Sequence, residues 1–306
     1  METDSREPAY LKLYREGLLV LRAQQAMELL KDCCLCPRAC HVDRPSGEQG
    51  VCRTGSLARV ASFHAHFGEE APLVGSGGSG TIFFSSCNLL CTFCQNFEIS
   101  HLREGEEVEP QQLAAMMLRL MQRGCCNINF VTPSHVVPQI LQALVIAVGQ
   151  GLNIPLVYNS GGYDSVDTIR LLDSVFDIYM PDFKFWEESR ATRFCRAPDY
   201  REQAQAAIGE MHRQVGDLVM DQKGVAVRGL LVRHLVMPDG IAGTRDVMDF
   251  LAGEISPDTY VNVMAQYHPS GKAADDPMIN RRITPAEYAA AVREAVAAGI
   301  RRLDRR

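Results

Sequence analysis

Three cysteines, Cys87, Cys91 and Cys94, stand in the run Ser85-Ser86-Cys87-Asn88-Leu89-Leu90-Cys91-Thr92-Phe93-Cys94-Gln95-Asn96, a Cys-x3-Cys-x2-Cys spacing with an aromatic residue before the last cysteine. An ordinary 4Fe-4S cluster takes four thiolates, one for each iron. Three closely spaced thiolates hold a cubane and leave one iron open, and an open coordination position is what separates a catalytic metal site from a closed structural one. Zinc is the alternative occupant. It would need a fourth ligand nearby, and His101, the nearest downstream histidine, does not continue the spacing.

A second group lies upstream, in Cys33-Cys34-Leu35-Cys36-Pro37-Arg38-Ala39-Cys40, with Gly50-Val51-Cys52 following. Cys33, Cys36, Cys40 and Cys52 make a set of four thiolates, enough for a closed site, and Cys34 is then spare. Such a set holds either zinc or a second iron–sulfur cluster, and spacing does not separate the two. Zinc would make this a structural module; iron would make it an auxiliary cluster that relays electrons or touches substrate. Arg38 and Arg44 are placed to steady a negatively charged centre.

The elements that must position these groups are legible in outline. The chain has 306 residues, 46% of them apolar and 22% charged, as expected of a globular protein with a sizeable core. A net charge of −6 argues against nucleic acid as the main partner. Met1-Glu2-Thr3-Asp4 opens no export signal and no stretch has the length of a membrane span. Eleven cysteines in such a chain point to reduced thiols and metal binding in the cytoplasm.

Short apolar runs at Thr81–Ser85, Asn127–Val131, Pro155–Tyr158, Asp177–Met180, Leu230–Val236 and Tyr260–Met264 are the expected strands. Amphipathic stretches between them, at Pro110–Arg123, Pro138–Val148, Asp164–Leu172, Tyr200–Val215 and Arg245–Leu251, are the expected helices. Thr284-Pro285-Ala286-Glu287 reads as a capping box opening a last helix that ends at Gly299, and Ile300–Leu303 returns as a short strand.

Alternation of this kind predicts an α/β fold with a parallel sheet, and six units fit a partial (β/α)6 barrel spanning residues 76–306. Residues 1–75 are expected to form a small helical, Cys-rich, metal-binding module at the N-terminus. An open doubly wound sheet is the alternative. The run Gly75-Ser76-Gly77-Gly78-Ser79-Gly80 precedes a strand, not a helix, so it reads as a flexible loop and not as a phosphate cradle.

Chemistry in such folds collects at the C-terminal ends of the strands, and the unusual polar clusters fall there. They are the Cys87–Cys94 run, Thr132-Pro133-Ser134-His135, Asn159-Ser160-Gly161-Gly162-Tyr163, Asp182-Phe183-Lys184, Arg233-His234 and Gln266-Tyr267-His268. One shared site on one rim is the expectation. His135 and His234 are the candidates there for catalytic contact with the substrate, and Asp182 and Arg233 for holding a cofactor.

With these residues in hand, the chain resembles the radical S-adenosylmethionine (SAM) superfamily, in the branch of pyruvate formate-lyase-activating enzymes and its iron–sulfur subgroup of undefined role. The resemblance is carried by the Cys-x3-Cys-x2-Cys run together with Cys36-Pro37-Arg38, Phe67-Gly68-Glu69-Glu70, Gly78-Ser79-Gly80-Thr81-Ile82-Phe83-Phe84, Cys94-Gln95-Asn96, Val157-Tyr158-Asn159, Tyr179-Met180-Pro181-Asp182-Phe183-Lys184 and Val232-Arg233-His234-Leu235-Val236, and so extends over nearly the whole chain. It implies a 4Fe-4S cluster on Cys87, Cys91 and Cys94 with SAM on the open iron. It also implies reductive cleavage of SAM to a 5'-deoxyadenosyl radical, and hydrogen abstraction from a substrate. That substrate would be a glycyl-radical protein partner in the activating-enzyme reading, or a small molecule or peptide in the alternative. A non-catalytic iron–sulfur electron carrier is the third reading. A low-potential donor such as flavodoxin or ferredoxin is implied as the reductant. Asn159 and Lys184 match positions that help seat SAM. Related enzymes commonly carry a Gly-Gly-Glu-Pro-type turn after the second strand, which receives the SAM ammonium. Here Val131-Thr132-Pro133-Ser134-His135 stands instead, so the Thr132 carbonyl or Ser134 is expected in that role.

Other residues carry plainer readings. Cys125 and Cys126 are expected to be packing thiols and Cys195 a free thiol. His64 and His66 read as loop histidines with satisfied partners, Met116, Met117 and Met121 as core, and Arg301-Arg302-Leu303-Asp304-Arg305-Arg306 as a solvated tail. Glu69-Glu70 reads as a solvated turn or as support for the cluster loop, and Trp186 as a packed aromatic or a lining of the site mouth.

Overall fold

A computed structural model describes residues 7–304. In chain order it runs α1 (Ala9–Arg15), α2 (Leu18–Glu28), β1 (Ala58–His66), α3 (Ala71–Val74), β2 (Ser79–Phe84), α4 (Phe97–Ser100), β3 (Glu106–Val108), α5 (Pro110–Gln122), β4 (Ile128–Val131) and α6 (Val137–Gly149). It continues with β5 (Leu156–Ser160), α7 (Val166–Leu171), β6 (Ile178–Pro181), α8 (Glu188–Cys195), α9 (Tyr200–Val215), β7 (Val219–Met220), β8 (Ala226–Leu235), α10 (Thr244–Phe250), β9 (Tyr260–Met264), α11 (Pro285–Ala298) and β10 (Arg302–Leu303).

One ten-stranded sheet organises the molecule, in the order β10-β9-β8-β6-β5-β4-β2-β1-β3 with β7 paired to β8. From β2 to β10 the neighbours along this path are parallel. Each parallel strand lies beside its predecessor in the chain with no reversal of order, so the sheet is singly wound and the doubly wound alternative is set aside. The strands are buried on both faces, which is why they read as continuous apolar runs: Ile82, Ile128, Phe130, Leu156, Val157, Ile178, Leu230, Leu231 and Val261 are all inaccessible.

Antiparallel β1 extends the sheet on one side, pairing with both β2 and β3. It went unread in the sequence because its polar residues alternate with apolar ones and include three charged or imidazole side chains, Arg59, His64 and His66. Helix α8 was missed for a similar reason, since most of Glu-Ser-Arg-Ala-Thr-Arg-Phe-Cys is polar. Caps account for several helix starts. Glu109 and Gln112 close a reciprocal capping box at α5, and Thr284 and Glu287 close one at α11, each with proline in the first turn.

The Gly75–Gly80 run is not the flexible loop the sequence suggests. A Cβ on Gly77 would lie 1.8 Å from the Gly124 carbonyl oxygen, and one on Gly80 would lie 2.6 Å from that of Asn127. These glycines are there because two backbones meet, not because the chain moves. The Cys-rich residues 29–57 form turns and irregular structure, held by Cys33 N–H to Val42 O (3.1 Å) and Arg44 N–H to Leu30 O (2.9 Å). No helix among the described residues is long and apolar enough to cross a membrane.

Candidate functional site

The Cys87–Cys94 run is the loop leaving β2, and its path is fixed by backbone conformation and by packing. Ser86 and Leu90 take left-handed φ values of 75° and 54°, which are costly for residues with a Cβ and are maintained only by a surrounding framework. Phe93 supplies much of that framework. Its ring is buried edge-on against Phe185, Phe194 and Tyr267 at 5.7, 6.5 and 6.2 Å between centroids. Thr92 is held on both sides of its peptide unit, N–H to Phe194 O and C=O to Lys272 N, each at 2.8 Å. The sulfurs have polar neighbours of their own. Leu89 N–H donates to Cys87 Sγ (3.3 Å), Ser100 Oγ to Cys94 Sγ (3.2 Å) and Cys195 Sγ to Cys91 Sγ (3.4 Å).

Burial pushes the Cys87 thiol up to about 12 and raises Cys94 in the same direction. Cys91 is pushed up first by its contact with Cys195 and then by burial. The metal-free loop therefore carries thiols, not thiolates, and metal loading must displace their protons.

These cysteines line a cavity of about 380 Å³ over the C-terminal ends of the parallel strands, within the range of small-ligand and cofactor sites. Phe83 of β2, Val131 of β4, Asn159 and Ser160 of β5, Asp182 after β6, Arg233 and Leu235 of β8, and Asn262 and Met264 of β9 complete the wall. Thr132 also lines it, in a left-handed conformation with φ 62° that is strained for a β-branched residue.

A buried charge network forms the floor. Arg233 donates through Nε to Asp182 Oδ1 (2.8 Å) and through a terminal nitrogen to Asn159 Oδ1 (2.7 Å), with Glu69 at 3.7 Å. Lys184 Nζ meets the other Asp182 oxygen at 2.5 Å. Asn129 donates to Glu69 (3.1 Å) and Asn262 to Glu70 (2.8 Å). Burial works to raise the Asp182 carboxyl, but Arg233 and Lys184 outweigh it and hold the group below its ordinary value. Burial wins at Glu69, which is raised despite Arg233. One oxygen of Glu70, Oε2, is buried with no hydrogen-bond partner.

The structure thus brings together Cys87, Cys91, Cys94, Thr132, Asn159, Asp182, Lys184 and Arg233. Ser134, His135 and His234 do not line this cavity. Ser134 is buried beneath it and gives its hydroxyl to Asp164 (2.5 Å), alongside Tyr158 and Ser160. His234 follows Arg233 on β8, and successive side chains of a strand point to opposite faces. With Arg233 in the cavity wall, His234 is turned away, bonded to Phe183 O (2.7 Å) and Thr244 Oγ1 (3.0 Å). His135 is turned the other way along the chain, its Nε2 2.9 Å from Ser85 O.

Burial lowers His234 from 6.5 to about 4, so this histidine is neutral in the folded protein while the unfolded chain still binds a proton near 6.5. Stability must therefore fall as pH drops from 6.5 toward 4, by about 3 kcal/mol from this residue at the acid end. Urea unfolding at pH 7, 6 and 5 should show that slope, and His234→Gln should reduce it, with His135, likewise lowered by burial to about 4, contributing the remainder. An unchanged slope in the variant would mean the imidazole is protonated in place.

Residues not foreseen in this wall are Glu69, Glu70, His66 and Asn262. The acidic pair is 8% and 4% exposed, so it is not a solvated turn; its side chains meet Asn129, Arg233 and Asn262 of the sheet. The signal available was the apolar Ala71-Pro72-Leu73-Val74 that follows it. Cys195, read as a free thiol, carries no disulfide and lies against Cys91.

The four N-terminal cysteines are also gathered. Cys33, Cys36, Cys40 and Cys52 line a small cavity of about 10 Å³ with Arg38, Arg44, Asn88 and His135. Cys34 is outside it, 3.5 Å from His41 Nδ1, which in turn meets Asp32 at 2.8 Å.

No family model matches the chain. It is 33% identical over 282 residues to the uncharacterized protein MJ0674 of Methanocaldococcus jannaschii, an alignment covering 90% of this chain and 77% of that protein. Among solved structures it resembles the chain described as HydG, a maturase of the [FeFe]-hydrogenase, with a TM-score of 0.48 and 12% identity over 73% of this chain. The match spans half the length of that structure, a likeness too distant to carry function.

Proposed function

The chain belongs to one family with the Methanocaldococcus jannaschii protein MJ0674, and from its own residues we propose that it is a radical SAM enzyme. The observation that carries this reading is the convergence of three cysteines and a buried charge network on one cavity. The singly wound sheet is read with it as a partial barrel whose rim is that cavity.

The site suits a cluster with an open iron. A tetrahedral zinc centre with 2.3 Å bonds needs thiolates about 3.8 Å apart. Among the described residues, the set of three possible ligands drawn within 4.8 Å of one another is Asp32, Cys34 and His41, so the sulfurs of Cys87, Cys91 and Cys94 are not all drawn together to that distance. When bound, a 4Fe-4S cluster with SAM on its open iron supplies one-electron cleavage to methionine and a 5'-deoxyadenosyl radical able to take a hydrogen atom from a substrate.

The chain's own residues bind and orient. Cys87, Cys91 and Cys94 hold the cluster. Asn159, Asp182, Lys184 and Arg233 present a fixed array of donors and acceptors to the amino-acid and ribose groups of SAM, and the Thr132 carbonyl is offered to its ammonium. Asp182 keeps Lys184 and Arg233 aimed, so the array needs no rearrangement when the ligand arrives. Apolar Phe83, Leu89, Phe93, Leu235 and Met264 on the wall limit access of water to a reactive radical. An electron carrier would need none of this, which is why the non-catalytic reading ranks lower. The proposed hydrogen donor is the glycyl-radical partner implied by the resemblance, and the proposed reductant is a flavodoxin or ferredoxin.

The test is anaerobic reconstitution with iron and sulfide, then SAM and dithionite, with 5'-deoxyadenosine as the readout. Product formation is expected. A loaded cluster that leaves SAM intact, with and without candidate substrates, would return the chain to the carrier class. A doublet electron paramagnetic resonance (EPR) signal on a co-purifying protein would identify a glycyl-radical partner.

A further inference from the structure

The N-terminal cysteines have no part in the function so far described, yet they are the most organised feature outside the cavity. Cys33, Cys36, Cys40 and Cys52 converge although their segment lacks regular structure. Gly50 shows how closely the chain folds over them, since a Cβ there would lie 2.6 Å from Cys40 Sγ. Arg44 is 2% exposed. Its guanidinium is met by the carbonyl oxygens of Gly55 (2.8 and 3.1 Å) and His135 (2.9 Å) and by Cys33 Sγ at 3.9 Å. A buried cation facing neutral carbonyls needs negative charge nearby, and a metal–thiolate centre in this cavity supplies it.

Two observations choose between the metals. As in the main site, no three of these sulfurs come within 4.8 Å of one another among the described residues, against about 3.8 Å for tetrahedral zinc. A cubane spreads its four thiolates over a larger tetrahedron. The second observation is position. Asn88, the residue between Cys87 and Leu89, lines the N-terminal cavity. It shares that cavity with Cys36, and its Oδ1 lies 4.0 Å from Cys87 Sγ. Arg38 locks the same junction, donating to the carbonyls of Asn88 (2.9 Å), Leu89 (3.4 Å) and Cys195 (2.8 Å). The two cavities share no lining residue, so a centre in the first touches the main cysteine loop without touching the ligand space.

We infer that Cys33, Cys36, Cys40 and Cys52 hold a second 4Fe-4S cluster that relays electrons to the Cys87–Cys91–Cys94 site through the Asn88 junction. This rests on the radical SAM reading for the destination of the electron, but not for the cluster itself. The balance is one electron per turn. A low-potential flavin or iron–sulfur protein is oxidised by one electron, the N-terminal cluster passes from the 2+ to the 1+ state, and it returns to 2+ as the main cluster is reduced. No bond forms and no proton moves. Cys40 and Cys52 are partly exposed, giving an outer donor a point of entry, whereas Cys91 is buried.

The experiment has two arms. The full chain with Cys87→Ala, Cys91→Ala and Cys94→Ala is reconstituted anaerobically and assayed for iron, sulfide and zinc. About four irons and four sulfides per chain are expected, with an EPR signal after reduction that SAM does not alter; one zinc per chain, or a folded protein with no metal, overturns the cluster. This arm stands even if the wild type never cleaves SAM. In the second arm the Cys52→Ser variant is driven by dithionite or by reduced flavodoxin. Dithionite-driven cleavage should stay within about twofold of wild type while flavodoxin-driven cleavage falls by about tenfold or more. Equal loss with both reductants, or no loss with flavodoxin, overturns the relay. Should Cys52→Ser misfold by circular dichroism, Gly50→Val, which crowds Cys40 from outside the ligand set, is read in the same way.

Discussion

Cys91→Ala is expected to abolish 5'-deoxyadenosine formation and to lower the iron content of the reconstituted protein by about four atoms per chain, with the fold intact. Cys91 is the most enclosed of the three main sulfurs, 8% exposed and in contact with Cys195. Two remaining thiols cannot stand in for three, and Cys195 sits behind Cys91, away from the cavity wall. The loop itself does not depend on the sulfur, because Phe93 and the two hydrogen bonds of Thr92 anchor it. Loss of one buried thiol costs the metal-free protein about 1 kcal/mol, so circular dichroism and the melting temperature should change little. Full SAM cleavage by this variant would sink the assignment of the site.

Asp182→Ala should have the largest effect on the protein framework. Asp182 is 8% exposed and takes hydrogen bonds from Arg233 and Lys184 on its two oxygens. A buried ion pair adds little over an apolar replacement of the whole set, but removing one partner strands the others, at a cost of about 3–5 kcal/mol. The two cations left behind would repel each other and turn Lys184 toward the cluster thiolates. Urea unfolding should register the loss, and calorimetric titration of SAM into the loaded variant should show affinity falling by about tenfold or more. Asp182→Asn, which keeps shape and one acceptor, should fall between.

The pH dependence of this site has a definite sign. The folded carboxyl is held below its unfolded value, so its stabilisation is present above the unfolded pKa and is lost as pH falls through the folded one. The Asn variant should lack that acid limb. A variant as stable as wild type, with unchanged SAM affinity, would show that Lys184 and Arg233 find other partners.

How much of this was visible in the sequence depended on whether the determinant was local. The six parallel strands were legible because burial on both faces leaves an uninterrupted apolar run, and Tyr260–Met264 was placed to the residue. Strand β1 carries the opposite pattern, with only Ala58 and Val60 fully buried, and it resembles loop until β2 and β3 are beside it. The cavity wall was legible from strand ends alone for Asn159, Asp182, Lys184 and Arg233. His234 needed one more step, since a strand cannot send two consecutive side chains to one face. Glu69 and Glu70 had one local signal, the apolar run after them, but what makes their burial tolerable comes from Asn129, Arg233 and Asn262, between 60 and 192 residues away.

The anchoring of Thr92 carries a consequence for how the protein is made. Its carbonyl waits for Lys272 and its amide for Phe194, so the cysteine loop is completed by segments that leave the ribosome long after it. Gly271 fits this closure, since a Cβ there would lie 2.5 Å from Phe97 and 2.9 Å from the Thr92 oxygen. Until those segments arrive neither backbone group of Thr92 has its partner, so the path of the loop is set only once residues as far as Lys272 are in place. The C-terminal third of the chain, through Lys272 and Gly271, thus acts as the latch on a loop that belongs to its first third.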